Sequence, residues 1–209
     1  MTKIYPQKEF QNTQFMSNLT GYVSNNYTNF NKIKPPSKRK IMIGYRGRPI
    51  PMRYGSLGFD KIEIGKIVKQ FCEKNFISHD IEWDENKRIY GDEWYKFICS
   101  TRSTLGTESG SNIFNWEGNL EEKLSNFKYI NKNYNDDQVY QKFLKPLEKE
   151  GLMNQISPRV FEAICFRSVL VLFEGKYSNV VKPWKHYLPL KKDGSNLNEI
   201  VKLLSNNDF

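Results

Sequence analysis

From residue 40 onward the chain alternates short apolar runs with amphipathic stretches, and each run predicts an element. Ile41-Met42-Ile43-Gly44-Tyr45 is an apolar run closing near a glycine, as in a strand buried on both faces. Arg46-Gly47-Arg48-Pro49 is then the loop at its carboxyl end. Ile64, Ile67, Val68 and Phe71 follow the i, i+3, i+4, i+7 spacing of one buried helical face, predicting a helix over 62–74. A second strand is expected over 78–83, followed by a helix capped by Asp92 and running through Trp94, Phe97 and Ile98 toward Thr101. Thr104-Leu105-Gly106 reads as a brief strand opening into Thr107-Glu108-Ser109-Gly110-Ser111-Asn112. Residues 119–150 read as helical but polar, with a break near 131–136. Ser157 suits an N-cap and Pro158 the first position of a helix reaching Phe166. The run 168–173 is the most strand-like of all, and 187–190 a further short strand. A closing helix places Leu197, Ile200, Val201 and Leu204 on one face, with Asn196 and Glu199 at capping-box spacing.

Strands alternating with helices predict an α/β fold: a single Rossmann-like domain whose parallel sheet is covered by helices on both faces. Residues 1–37, rich in Asn, Lys, Thr and Tyr and closing near Pro35-Pro36, read as an N-terminal arm with one short element around 15–23. Residues 38–209 form the expected domain.

Composition narrows the function classes. The 209 residues are 38% hydrophobic and 14% aromatic, enough for a real core. No apolar run exceeds the five residues from Val169 to Phe173, so no membrane-spanning helix is expected. The polar start lacks the apolar stretch of a secretory leader, which points to the cytoplasm, or to a peripheral position at the inner face of a membrane. Cys72, Cys99 and Cys165 show no CxxC spacing, and His79 and His186 are the only histidines. Neither a disulfide framework nor a metal site follows. The net charge of +9 invites a nucleic-acid reading, but Lys3, Lys8, Lys32, Lys34, Lys38, Arg39 and Lys40 face the single acid Glu9 in the first forty residues. The rest of the chain mixes both signs, as a solvated surface does. Nucleic-acid binding through the basic arm is kept as a third reading.

In an open parallel sheet, ligands bind beyond the carboxyl ends of the strands, and three polar loops fall there. In the first, Arg46 and Arg48 flank a glycine, within a stretch that also holds Arg53 and no acid; guanidinium groups suit bidentate phosphate binding. The second, Glu108-Ser109-Gly110-Ser111, offers small residues whose amides can wrap an anion, although a plain turn has the same composition. The third is Ser157-Pro158-Arg159, a helix start with an added cation, where phosphate is favoured by unpaired amides and the helix dipole. One turn on, Glu162 lies among Phe161, Ala163, Ile164 and Cys165, and must find solvent, a partner or a ligand. A ribose with two hydroxyls would satisfy it, so these parts together describe a nucleoside-diphosphate site. Dehydrogenase and P-loop glycine fingerprints are absent. His186 reads as structural, Cys99 and Cys165 as inert core thiols, and Trp94, Trp116 and Trp184 as core residues that would equally stack on a base or sugar.

The segment Ser157-Pro158-Arg159-Val160-Phe161-Glu162-Ala163, with the following strand and closing helix, resembles the C-terminal half of GT-B glycosyltransferases. The likeness is to the group-1-like enzymes of bacterial surface-polysaccharide synthesis. It extends to Gly44-Tyr45-Arg46-Gly47-Arg48, to the run from Leu105 to Asn112, and to Lys182-Pro183-Trp184-Lys185-His186-Tyr187, covering about 38–205. The resemblance implies a domain that binds a nucleoside diphosphate sugar as substrate, with no cofactor and no metal. Arg46, Arg48 and Arg159 would hold the diphosphate, Glu108 to Ser111 line the donor pocket, and Glu162 hold the ribose. The Glu-x7-Glu pattern of the fold's retaining branch is incomplete, because Asn154 occupies its first position. A complete enzyme of this kind has a second Rossmann-like domain for its glycan or lipid-linked acceptor, so this chain alone is expected to bind donor and transfer little. A non-catalytic nucleotide-sugar-binding module is the alternative.

Overall fold

The computed structural model describes residues 7–16, 18–23 and 33–206. In chain order the elements are β1 (Ile41–Arg46), α1 (Ser56–Lys74), β2 (His79–Glu82), α2 (Gly91–Ser100), β3 (Thr101–Gly106), α3 (Leu120–Ile130), α4 (Asp136–Val139), α5 (Pro158–Cys165), β4 (Val169–Phe173), β5 (Leu188–Leu190) and α6 (Leu197–Ser205). The strands lie in the order β2-β1-β3-β4-β5, and every neighbouring pair is parallel. This is the Rossmann-like α/β architecture that the alternation of periods predicts.

β4 shows why both faces are covered. Its side chains alternate with period two. Leu170 and Leu172 pack with Val160, Phe161 and Ala163 of α5. Val171 and Phe173 pack on the opposite face with Ile64 and Val68 of α1 and Ile200 and Leu204 of α6. Fully burying such a side chain stabilises the fold by roughly 1.5–3 kcal/mol, so an all-apolar pentapeptide is satisfied only at the centre of a sandwich. On the α2 side of β1, Gly44 is forced by proximity: a Cβ there would lie 2.3 Å from Thr101 Cγ2 and 3.0 Å from Phe97 Cζ.

Several boundaries move. α1 begins at Ser56, six residues before the predicted start, because its first turn is capped from far away: Glu148 Oε1 accepts from Ser56 N at 2.6 Å. β3 begins at Thr101, where α2 ends, and its polar residues are buried because backbone groups satisfy them; Ser103 Oγ, for example, donates to Met42 O at 2.8 Å. α2 starts at Gly91, which puts Asp92 in its first turn rather than at the cap. The capping box predicted at Asn196 does not form. That side chain instead accepts from Lys191 N at 3.0 Å and donates to Pro189 O at 2.8 Å, stitching the loop after β5. The break predicted in 119–150 is present between α3 and α4, and this insertion builds a satellite core from Ile113, Leu120, Leu124, Val139, Tyr140 and Leu144.

The described residues of 15–23 form no helix or strand, contrary to the expected short element. They run along the start of α5, where Thr20 Oγ1 donates to Ile156 O. A side chain at Gly21 would meet Phe161 and Pro158 at 3.1 Å. Arm residues 1–6, 17 and 24–32 lie outside the described residues.

At the opposite rim, Arg39 is buried without a carboxylate partner among the described residues. Its Nη1 donates to Thr101 O (2.9 Å), Ser168 Oγ (2.8 Å) and Ile98 O (3.3 Å), its Nη2 to Phe166 O (2.6 Å) and its Nε to Lys34 O (3.0 Å). Ile98 and Phe166 stand at the C-terminal ends of α2 and α5, where exposed carbonyls favour a cation. Arg39→Met strands these buried carbonyls and is expected to destabilise the domain by roughly 3 kcal/mol or more. Arg39→Lys is expected to recover only part of that, because one ammonium cannot span five acceptors. Urea midpoints at unchanged m-value measure both.

Candidate functional site

The strand order reverses direction between β1 and β3, so the connections that leave them, through α1 and through α5, run to opposite faces and leave a crevice at the carboxyl ends of those two strands. A cavity of about 170 Å³ occupies it. Arg48, Lys61 and Arg159 are among its lining residues, and no carboxylate is. Arg48 comes from the loop after β1, Lys61 from the second turn of α1, and Arg159 from the first turn of α5. Three elements adjacent only in space thus deliver three cations to one place.

Lys61 is the cation that composition alone does not flag. Its Nζ donates to Ser109 Oγ (3.2 Å) and Glu108 O (3.3 Å), neutral acceptors both. Burial, with the Arg159 guanidinium adding to it and Asp60 opposing, pulls the ammonium from its ordinary 10.5 down to about 8. A signal for it exists in the sequence. Lys61 precedes Ile64, Gly65 and Val68 at helical spacing, so it stands in the buried stripe of α1.

Trp94 forms the partition between this crevice and a second, wider groove of about 430 Å³. Its ring stacks on Phe97 at 5.7 Å, and the Arg159 guanidinium lies over it at 5.0 Å from the centroid. Its indole Nε1 donates to Glu162 Oε2 at 2.8 Å. Glu162 therefore finds both of the partners its apolar surroundings demand: one oxygen is held by Trp94, and the side chain lines the open groove. Ser157 and Arg159 line both cavities. The Ser157 hydroxyl makes no cap hydrogen bond to α5.

The remaining predicted residues hold the rim together. Arg46 lines the groove, but its guanidinium is gripped bidentately by Asp80 of β2, Nη1 to Oδ1 and Nη2 to Oδ2 both at 2.8 Å. It also lies over the Phe97 ring at 4.3 Å, and its carbonyl accepts from Arg159 Nη1. Arg53 pairs with Glu121 at 2.5 Å. Glu108 accepts from Tyr177 N and from Asn154 Nδ2, each at 2.7 Å, and so ties the loops after β3 and β4 together. Ser109 exchanges backbone hydrogen bonds with Gln155 (2.8 and 2.9 Å), closing the base of the insertion. At Gly110, with φ of +108°, a Cβ would lie 2.0 Å from Met153 O. Ser111 Oγ donates to Ile113 O at 2.7 Å. Of the second loop, Glu108 and Ser109 reach the crevice only through their contacts with Lys61, and Gly110 and Ser111 line neither cavity. Arg46 and Glu162 share the groove; Ser109 lines neither cavity.

His186 has the structural role expected of it, its Nδ1 accepting from Lys182 N at 2.9 Å. Burial raises the Cys72 thiol to about 12 and the Cys99 thiol above its ordinary value, which keeps both protonated. Trp116 and Trp184 are both more than half exposed rather than core. Among the described residues, no helix is long and apolar enough to cross a membrane.

Fold and site together define a Rossmann-like α/β domain with a cationic crevice at its switch point. No protein-family model, curated protein or solved structure matches this chain.

The depressed Lys61 value has a definite sign. Below pH 8 the ammonium is charged in the folded and the unfolded chain, and the folded chain carries the full burial penalty. From about 8 to 10.5 only the unfolded chain holds the proton, so the penalty is relieved and stability rises. Wild type is therefore expected to gain stability relative to Lys61→Met over that interval, as read by denaturant midpoints along a pH series. Binding of phosphate-bearing ligands is expected to weaken as pH rises through 8 in wild type alone.

Proposed function

We propose that the chain is the donor-binding domain of a glycosyltransferase that takes a sugar from a nucleoside diphosphate sugar. The observation that carries this reading is the convergence of Arg48, Lys61 and Arg159 on a crevice without a carboxylate, beside a groove that holds Glu162. Burial in the first place, and repulsion from Arg159 in the second, lower the pKa of the Lys61 ammonium to about 8. A diphosphate neutralises the three cations and receives charge-assisted hydrogen bonds that strengthen as water leaves. As the sugar–phosphate bond breaks, negative charge grows on the departing diphosphate, so the same cations favour the transition state over the bound donor.

The Glu162 carboxylate is oriented by the Trp94 indole, and a ribose diol placed in the groove would donate to it. Arg159 lines both compartments and is the residue that would join diphosphate to ribose. Arg46 supports the site from behind, since Asp80 already takes its guanidinium. The resemblance of the segment from Ser157 to Ala163 to GT-B donor domains supports the same assignment of Arg159 and Glu162. The acceptor, in this reading a glycan or lipid-linked sugar in surface-polysaccharide synthesis, would be presented by a second domain or partner.

Thermal denaturation with a panel of nucleosides, monophosphates, diphosphates and nucleotide sugars tests the reading. Diphosphates are expected to raise the melting temperature and bare nucleosides to leave it unchanged. Arg159→Gln and Lys61→Gln are each expected to weaken the best ligand about tenfold or more. Glu162→Gln is expected to abolish preference for the ribonucleotide over its 2′,3′-dideoxy analogue. A folded protein that responds to no diphosphate, or a Glu162→Gln variant that keeps the ribose preference, overturns it.

A further inference from the structure

The rim opposite the crevice carries a different chemistry. It is made by the turns that lead into the five strands, and two aromatic side chains project from its ends. Phe76, just before β2, is 97% exposed, and Trp184, just before β5, is 58% exposed. These strands are the two edges of the sheet, four strand spacings apart, which places the two rings roughly 19 Å from each other. Both residues have left-handed backbones, with φ of +54° and +60°, as has Arg167 before β4, at +54°. A bulky side chain in that region is strained by about 1–2 kcal/mol. The Phe76 ring is left uncovered by the fold and the Trp184 ring is covered only in part, so packing within the chain offers little compensation for that strain.

Between the aromatics the rim is cationic. Lys38 and Lys40 precede β1, Lys74 ends α1, Arg167 precedes β4, and Lys185 adjoins Trp184; all five are exposed. None has a carboxylate partner among the described residues. Glu73 is the single acid in these turns. A shallow groove of about 360 Å³ beside Trp184 adds Ile164, itself 44% exposed. Exposed aromatics at both ends of an unneutralised basic strip suit a surface that is negative outside and apolar just beneath.

We infer that this rim docks the protein on an anionic lipid bilayer, with Phe76 and Trp184 entering the interface and Lys38, Lys40, Lys74, Arg167 and Lys185 facing the headgroups. The argument does not depend on the donor-binding reading, because none of these residues lines either cavity of the site. The geometry would hold the crevice on the side facing away from the bilayer.

Vesicle flotation of the full chain tests this, with phosphatidylcholine alone and with phosphatidylglycerol added. Binding is expected only to the anionic vesicles and is expected to fall as salt is raised. Phe76→Asn with Trp184→Asn should weaken it at least about tenfold, and Arg167→Glu with Lys185→Glu similarly. Asparagine tolerates the left-handed backbone, so the first pair should keep or raise the melting temperature, which separates loss of docking from loss of fold. Equal partition into neutral vesicles, or full binding by either pair of variants, overturns the proposal. So does retention on duplex DNA without vesicle binding, which would mark the strip as a nucleic-acid surface.

Discussion

Much of the molecule depends on one buried guanidinium that is held by neutral acceptors among the described residues. Arg39 enters the domain just before β1 and finds its acceptors on the carbonyls that end α2 and α5 and on the first residue of β3. Removing a charge from water is expensive, and here the cost is met by carbonyls that would otherwise be orphans at two helix ends. The arrangement locks the α2 and α5 layer to the lower rim of the sheet. Because both helices are short, their upper ends are placed by the same lock, and those ends supply Trp94, Arg159 and Glu162.

At the upper rim the long insertion after β3 is prevented from drifting over the crevice by two carboxylates that act as clamps. Glu108 joins the strand end to the turn at Tyr177, and Glu148 joins the end of the insertion to the start of α1 through Ser56 N, with the Tyr140 hydroxyl as a second donor at 2.8 Å. Both acids meet backbone N–H groups or neutral side chains rather than the nearby cations. That choice matters electrostatically. Were either carboxylate turned to Lys61 or Arg159, the crevice would be neutral and a phosphate would have little to gain there. Arg46 and Asp80, by contrast, neutralise one another behind the site. The rim thus sorts its charges, pairing those that carry structure and leaving Arg48, Lys61 and Arg159 without a carboxylate partner among the described residues.

This sorting explains what the sequence could and could not reveal. The α/β alternation, β4, α5 and the break within the insertion were legible, because period-two and period-3.6 patterns record which faces are buried. Glu162 was legible for a similar reason: an acid inside an apolar helix is an exception that needs a cause. Lys61 is the same kind of exception, a charge on the buried stripe of α1, but the apolar residues that define the stripe all follow it and the helix was expected to begin only afterwards. The early start of α1 rests on Glu148, ninety-two residues away, which local pattern does not report. The ion pair of Arg46 is not legible in the sequence for a related reason. Its partner Asp80 lies on the next strand, and only the parallel register that sets Gly44 against Asp80 brings the two together.

Two rims, one sheet and opposite chemistries follow from parallel topology itself. Every strand points its carboxyl end the same way, so whatever loops evolve at one end are segregated from those at the other. At the upper end α5 begins and Arg159 gathers with Lys61 and Arg48, inside a crevice too narrow for a surface to enter. At the lower end the helices terminate, their carbonyls absorb Arg39, and the cations beyond it project outward in a row with Phe76 and Trp184. Cations gathered around a concave crevice suit a small anion; a row on an outward-facing rim with apolar tips suits an extended one. The distinction lies in curvature rather than in charge, since lysine and arginine serve at both ends.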